Sequence, residues 1–512
     1  MSKTLLIVGA GLAGLSAAYT CAKAGHRAVL VSAMPSERAQ SVMAEGGINA
    51  SLNTRGEQDS PDQHCADTLK AACGLADPTA VAGMTEAAPQ IVRELSAMGV
   101  CFNRFQGDID LRNFGGQKKK RTAFCQSDTG KQIMTALIDA MRRFEAEGLI
   151  ERRPHHLFLR LQRANGCACG MEIQDAYTGE TAVLQGDAAL IATGGMHGLF
   201  QDTTGSCLNT GAAAAQLFSQ GVEMANLEFV QFHPTTARHG RKRFLITEAA
   251  RGEGGRLMVL RDGKPYYFME EKYPELGNLM PRDVTAREIW NMQREGQVYL
   301  TLTHLDEAVF TGKLSGLVSD CATFLNLDIR SAPIPVTPGI HYFMGGIRVD
   351  AQHRTSVPHL YAAGECCAQY HGANRLGGNS LLGAIYGGRV AAQTALAEAT
   401  APEGARILDG DPVKNAPFPH ADTLLRAMGV VRDEATLSGA LETLQSETDA
   451  NALLARAMLQ SALCRRESRG GHYRSDYPAT DPAFAKTSVA RRGNESIEIR
   501  HESVGGKAAW AK

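Results

Sequence analysis

Five segments far apart in the chain combine histidine, arginine or glutamate with glycine, proline or threonine: QFHPTT (231–236), ITEAARGEGG (246–255), PRD (281–283), PGIHYFMGG (338–346) and GANRLGGNS (372–380). They supply His233, Glu248, Arg251, Arg282, His341 and Arg375. Taken singly, a loop histidine is usually a hydrogen-bonding residue and an arginine usually a surface charge. As a set they suit a dianion. Arginine stays protonated and offers a planar fork that matches a carboxylate, whereas lysine offers a point charge. Arg375 is the sharpest case, because it stands among glycines and aliphatics in GANRLGGNSLLGAIYGG (372–388). A guanidinium packed there is costly unless an anion meets it.

Such a set needs a scaffold. Thr4 to Val8 is a short aliphatic run followed by Gly9-x-Gly11-x-x-Gly14, a helical stretch and a second run, RAVLVSA. Strand, glycine turn, helix and strand form the context of a dinucleotide fingerprint, in which the pyrophosphate meets a helix N-terminus. The second run ends in Ser32, where an acidic ribose ligand is usual for NAD. Together with DAALIATGG (187–195) and HLYAAGE (359–365), two further strands closing on small-residue turns, this favours FAD.

Composition excludes other classes. The chain has 512 residues, 44% hydrophobic and 21% charged, with net charge -1. That is room for two to four domains of about 150 residues each, and no global field draws it to nucleic acid or a membrane surface. Twelve cysteines never take a CxxC spacing, so reduced thiols are expected rather than a metal or cluster site. Residues 4–22 lack charge, but three spaced glycines make them a poor spanning helix or signal segment. The stretch 403–420 reads as a linker and 421–467 as helical. The basic runs QKKKR (117–121) and RHGRKR (238–243) read as solvated loops.

Across most of its length the sequence resembles the flavoprotein subunit of the fumarate reductase and succinate dehydrogenase family, which also includes L-aspartate oxidase. The motifs are GAGLAG, FGGQKKKRTAFCQSDTG, QFHPT, TEAARGEGG, PRD, IPVTPGIHYFMGG, AAGE, HGANRLGGNSL and RRESRGGHYRSDYP. The resemblance implies that His233, Thr247, His341 and Arg375 hold substrate carboxylates. It implies hydride transfer from flavin N5 with Arg282 as proton donor, and Glu248 and Arg251 as the relay to it. For FAD it implies Gly9, Gly11 and Gly14 at the pyrophosphate, Ser32 at the end of its strand, Gly46 and Gly47 at the flavin, and Glu365 at the ribityl or ribose region. Ser380 and Leu381 would turn a helix N-terminus to the flavin.

The expected fold is α+β: a Rossmann-like FAD-binding domain in two parts (1–231 and 342–398), an inserted capping domain (232–341) and a helical C-terminal region (399–512). The implied activity is reduction of fumarate to succinate or the reverse; the alternatives are L-aspartate oxidase and an enzyme for another small dicarboxylate. No metal site is expected. An iron–sulfur subunit or a soluble carrier would exchange electrons, with a cytoplasmic location and membrane contact only through partners. Three departures stand out. TGDG of the family is Thr210-Gly211-Ala212-Ala213, which removes an acid expected on FAD, and Phe343 puts a bulkier residue beside the substrate. Gln40 stands where covalently flavinylated members carry histidine, which implies non-covalent FAD.

Overall fold

The computed structural model describes residues 2–240, 242–400, 403–494 and 496–505. Its centre is a five-stranded parallel sheet in the order Leu360–Ala362, Ala188–Ile191, Thr4–Val8, Arg27–Ser32, Ile150–Pro154. Covered on both faces, such a sheet calls for continuous apolar strands, which is what TLLIV and AALI provide. Alternate residues feed two cores: Leu5 and Ile7 one, Leu6 and Val8 the other.

Helices Leu12–Lys23 and Asn379–Glu398 contribute to the first core. They cross closely, since a Cβ at Gly388 would lie 2.3 Å from the Ala13 carbonyl oxygen. The antiparallel sheet of Thr181–Gln185, Cys167–Asp175, His156–Ala164 and Arg406–Leu408, with helices Ala212–Ser219 and Ala450–Cys464, belongs with the second. A third core is drawn from residues between Ala237 and Val336, in the stretch expected to cap the site. The chain enters that stretch along Val230–His239 and returns along Thr337–Phe343, and these two strands pair antiparallel.

The α+β class holds, with two differences from the expected layout. The stretch 403–420 is no free linker: Ile407 pairs with Arg163, and Gln216 and Gln220 donate to the carbonyls of Asp411 and Asp409. Beyond residue 399 the helices Ala421–Ala427, Glu434–Thr443 and Ala450–Cys464 are followed by strands Thr487–Arg492 and Ile497–Glu502. That hairpin extends a sheet containing Met224–Ala225 and Gly346–Arg348, which gives it partners that sequence alternation alone does not reveal. Residues 506–512 and Arg241 of the second basic run lie outside the described residues.

The segment after helix Ala450–Cys464 is tied inward by buried charge. Arg465 Nε donates to Glu228 Oε1 at 2.6 Å and its Nη1 to Glu467 Oε1 at 3.0 Å, with all three side chains fully buried. From there Gly471 N donates to Ala373 O at 2.8 Å and Arg469 Nη1 to Cys73 O at 2.8 Å, so this segment fixes the loop that carries Arg375. Among the described residues no helix is long and apolar enough to cross a membrane.

Candidate active site

A cavity of about 520 Å³ runs from the glycine turn after the first strand to the joint between the parallel-sheet part and the 237–336 part. Its wall includes Gly9, Gly11, Ser32, Gly46, Gly47, Glu365, Ser380 and Leu381, and also His233, Thr247, Glu248, Arg282, His341 and Arg375. Two expected residues stand behind it. Gly14 backs the turn, where any side chain would collide with the Gly9 carbonyl. Arg251 backs Glu248.

The two histidines owe their placement to strand irregularities. Gln231 pairs with Tyr342 and Phe232 with Ile340, which leaves His341 as an extra residue in its strand; a second shift falls between His233 and Thr236. A bulge of this kind re-aims a side chain. It brings the two rings to 5.1 Å, with His341 Nδ1 2.8 Å from Thr204 Oγ1 and His233 Nδ1 2.9 Å from Thr235 O.

The same bulge decides the fate of Phe343. Expected beside the substrate, Phe343 is buried away from the cavity against His197 and Phe200, with ring centroids at 5.0 and 5.5 Å. Its bulk therefore does not narrow the cavity.

The arginines converge on one acid. Arg282 Nε donates to Glu248 Oε2 at 3.0 Å, and Arg251 Nη2 donates to Oε1 at 3.2 Å. Arg282 Nη1 reaches Gln231 Oε1 at 3.2 Å. Burial pushes the Glu248 carboxyl up, but Arg282 and Arg251 outweigh it and hold the group below the usual carboxylate range. Arg375 lies with its Cζ 4.4 Å above the Tyr342 ring, and burial followed by repulsion from Arg282 pulls its guanidinium down to about 9. Burial, reinforced by Arg282, also drives His233 and His341 well below the ordinary imidazole value, so both are neutral at pH 7.

Arg251, Arg282, Arg375 and Glu248 are all buried and carry a formal excess of two positive charges. Burying that excess is costly without anions to meet it. Among the described residues Arg375 Nε and His233 Nε2 are buried and lack a hydrogen-bond partner, so the Arg375 donor is available to a ligand oxygen and both positions are open to a ligand.

Residues 4–381 match the model of an FAD binding domain, and residues 446–509 match that of the fumarate reductase flavoprotein C-terminus. The chain belongs to the fumarate reductase and succinate dehydrogenase flavoprotein family. It is 37% identical to the succinate dehydrogenase flavoprotein subunit of Bacillus subtilis, over 98% of this chain and 96% of that one. It is 38% identical to L-aspartate oxidase of Caulobacter vibrioides, over 96% of each. Among solved structures, quinol fumarate reductase from E. coli superposes with a TM-score of 0.86 at 26% identity, covering 99% of this chain and 97% of that one.

FAD is accordingly the cofactor of this family member, and the cavity fits it. Gly9 takes a positive φ of 109° and brings its backbone against Ala192, where a Cβ would lie 2.2 Å from the carbonyl oxygen. The glycine turn leads into helix Leu12–Lys23 and so presents a positive dipole end to phosphate. Helix Asn379–Glu398 begins at the cavity without a side-chain cap, and Ser380 and Leu381 stand in its first turn. Ser32 lines the wall while its hydroxyl is committed to the Met34 carbonyl at 2.7 Å. Helix Ala212–Ser219 also starts at the wall, with Ala212 and Ala213 in its first turn.

Several residues of the site were not singled out from sequence. Gln231 links Arg282 to Asn374 Oδ1 and to the Arg375 carbonyl, each at 2.9 Å. Thr204, Tyr342 and His197 also belong to it. Gln231 sits inside the QFHPTT motif, and that position was its only signal.

Proposed function

We propose that the chain interconverts fumarate and succinate as the flavoprotein subunit of a fumarate reductase or succinate dehydrogenase. The observation that carries the reading is the buried excess of two positive charges on four side chains at one end of the FAD cavity. It matches a short substrate with two carboxylates. Arg375, His233, His341 and Thr247 hold those carboxylates and fix the alkene in orientation, which lowers the barrier by restricting motion.

Arg282 is the acid. Its two bonds to Glu248 lock the guanidinium plane, and its Nη1 bond to Gln231 holds the fork in place. Bound FAD supplies the hydride in reduction and accepts it in oxidation. Arg282 protonates the neighbouring carbon and is reprotonated through Glu248, with Arg251 on the side of Glu248 away from the cavity. A strongly basic guanidinium serves as an acid only when its proton is replaced at once, and the direct contact with Glu248 meets that need.

An L-aspartate substrate would bring an ammonium that calls for a free carboxylate. The loop NFGGQKKK (113–120) contains no acid, and Phe114 forms that part of the wall. Glu248 is committed to two arginines. Glu45 also lines the cavity, but burial, with Asp320 next, pushes its carboxyl up to about 8, so it is neutral at pH 7. Electrons come from an iron–sulfur subunit or a soluble carrier, and membrane contact, where it occurs, is through such partners. FAD is held without a covalent link, since Gln40 at the cavity wall offers no ring nitrogen.

The test compares three reactions of the purified holoprotein: fumarate with reduced viologen, succinate with an oxidising dye, and L-aspartate with oxygen. Fumarate turnover is expected to dominate, with no hydrogen peroxide from L-aspartate. Peroxide and iminosuccinate formed from L-aspartate faster than fumarate is reduced would replace this reading with that of an aspartate oxidase.

A further inference from the structure

His197 is buried, lines the cavity, and has no part in the proton and carboxylate chemistry above. Its ring is held from every side. Nδ1 lies 2.7 Å from Thr203 Oγ1, the ring meets Phe343 edge-on at 5.0 Å and 80°, and Nε2 lies 3.3 Å from Glu365 Oε1. The seat exists only because residue 205 is glycine, since a Cβ there would fall 2.3 to 2.5 Å from three atoms of the ring.

Glu365 is the other half of the arrangement. Phe343 N donates to the same Oε1 at 3.1 Å. Both protein contacts thus fall on one oxygen, and Oε2 has no protein partner among the described residues. A carboxylate with one oxygen pinned twice and the other free presents a single acceptor of fixed direction to a ligand hydroxyl.

We infer that His197 is a positioning residue for FAD: it clamps Oε1 of Glu365 so that Oε2 faces the sugar-alcohol hydroxyls of the cofactor. Gly205 and Phe343 serve the same clamp, one by vacating the ring's seat and the other by walling it. This gives Phe343 a role behind the cavity rather than beside the substrate. The inference rests on the FAD site, and its test reads cofactor retention without substrate. It therefore stands apart from the choice between fumarate and L-aspartate.

The experiment measures FAD released from diluted holoprotein by flavin fluorescence, in wild type and in His197→Leu, His197→Gln, Gly205→Ala and Glu365→Gln. Loss of a polar contact to a half-buried carboxylate, here 3.3 Å long, corresponds to up to about a tenfold change in Kd, so His197→Leu and Gly205→Ala are each expected to weaken FAD binding by up to about that factor. His197→Gln, which keeps a donor, should stay within about threefold of wild type. Combined with Glu365→Gln, His197→Leu should add less than about twofold, because neighbours in one contact are not additive. Should His197→Leu fail to fold, Gly205→Ala with and without Glu365→Gln reads the same coupling. Wild-type retention in both His197→Leu and Gly205→Ala, or an undiminished effect in the Glu365→Gln background, overturns the inference.

Discussion

Arg282 Nε lies 3.0 Å from Oε2 of Glu248 with both side chains buried, so the proposed proton donor and the group proposed to recharge it are one hydrogen-bonded unit. Arg282→Ala removes the acid without touching the glycine turn. Turnover is expected to fall by at least about two orders of magnitude, the ordinary worth of a positioned general acid, while the flavin absorbance of the purified protein stays unchanged. Steady-state assays with dye beside a flavin spectrum check both halves.

Arg375→Lys keeps a positive charge but loses the fork and the stack on Tyr342. The KM for the dicarboxylate should rise about tenfold or more, the scale of a charge-assisted hydrogen bond, with kcat changing less and FAD content not at all. Release of flavin at unchanged KM would mark Arg375 as a cofactor ligand instead.

Acid sensitivity follows from buried neutral histidines. Burial lowers His64 and His371 to about 3 and His353 to about 4, with Arg121 adding to the effect on His64 and Arg375 to that on His371. The unfolded chain takes up protons near pH 6.5 that the folded chain refuses. Stability is therefore full above that value and is lost progressively as pH falls from 6.5 toward 4. Each such group contributes a slope of up to about 1.4 kcal/mol per pH unit. Thermal midpoints recorded between pH 7.5 and 5 should fall steadily, and His371→Gln should reduce the slope; a flat profile would contradict the neutral assignment.

Flavin attachment is read from a pellet. When the purified protein is precipitated with acid and spun, the yellow colour is expected in the supernatant. Without the covalent link the flavin potential should be lower, so fumarate reduction should outrun succinate oxidation with matched carriers. A yellow pellet would contradict the first statement, and faster succinate oxidation the second.

The glycine turn, the FAD cavity and the arginine set were legible because their chemistry demands residue types that stand out against an ordinary sequence. Arg375 among glycines is such a case. Phe343 was misplaced because it was placed by its position in the family motif, two residues after His341, and the extra residue at His341 turns it away from the cavity. Gln231 and His197 were missed for another reason. Each is a polar residue whose worth lies in partners distant in sequence, such as Arg375 and Glu365, and neither type signals its partner. The strands Thr487–Arg492 and Ile497–Glu502 went unread because they complete a sheet begun near residue 224.

The bond from Gly471 to the Ala373 carbonyl, backed by Arg465 and Glu228, joins two segments of the chain's second half. A nascent chain that has emerged only as far as residue 400 already contains every strand of the parallel sheet and every arginine of the cavity. It lacks one of the ties on the loop of Arg375, while those from Gln231 and Ala72 are already present. Any change that loosens the segment from 465 onward therefore reaches the loop of Arg375 through its backbone, by way of Ala373, and not through the cavity.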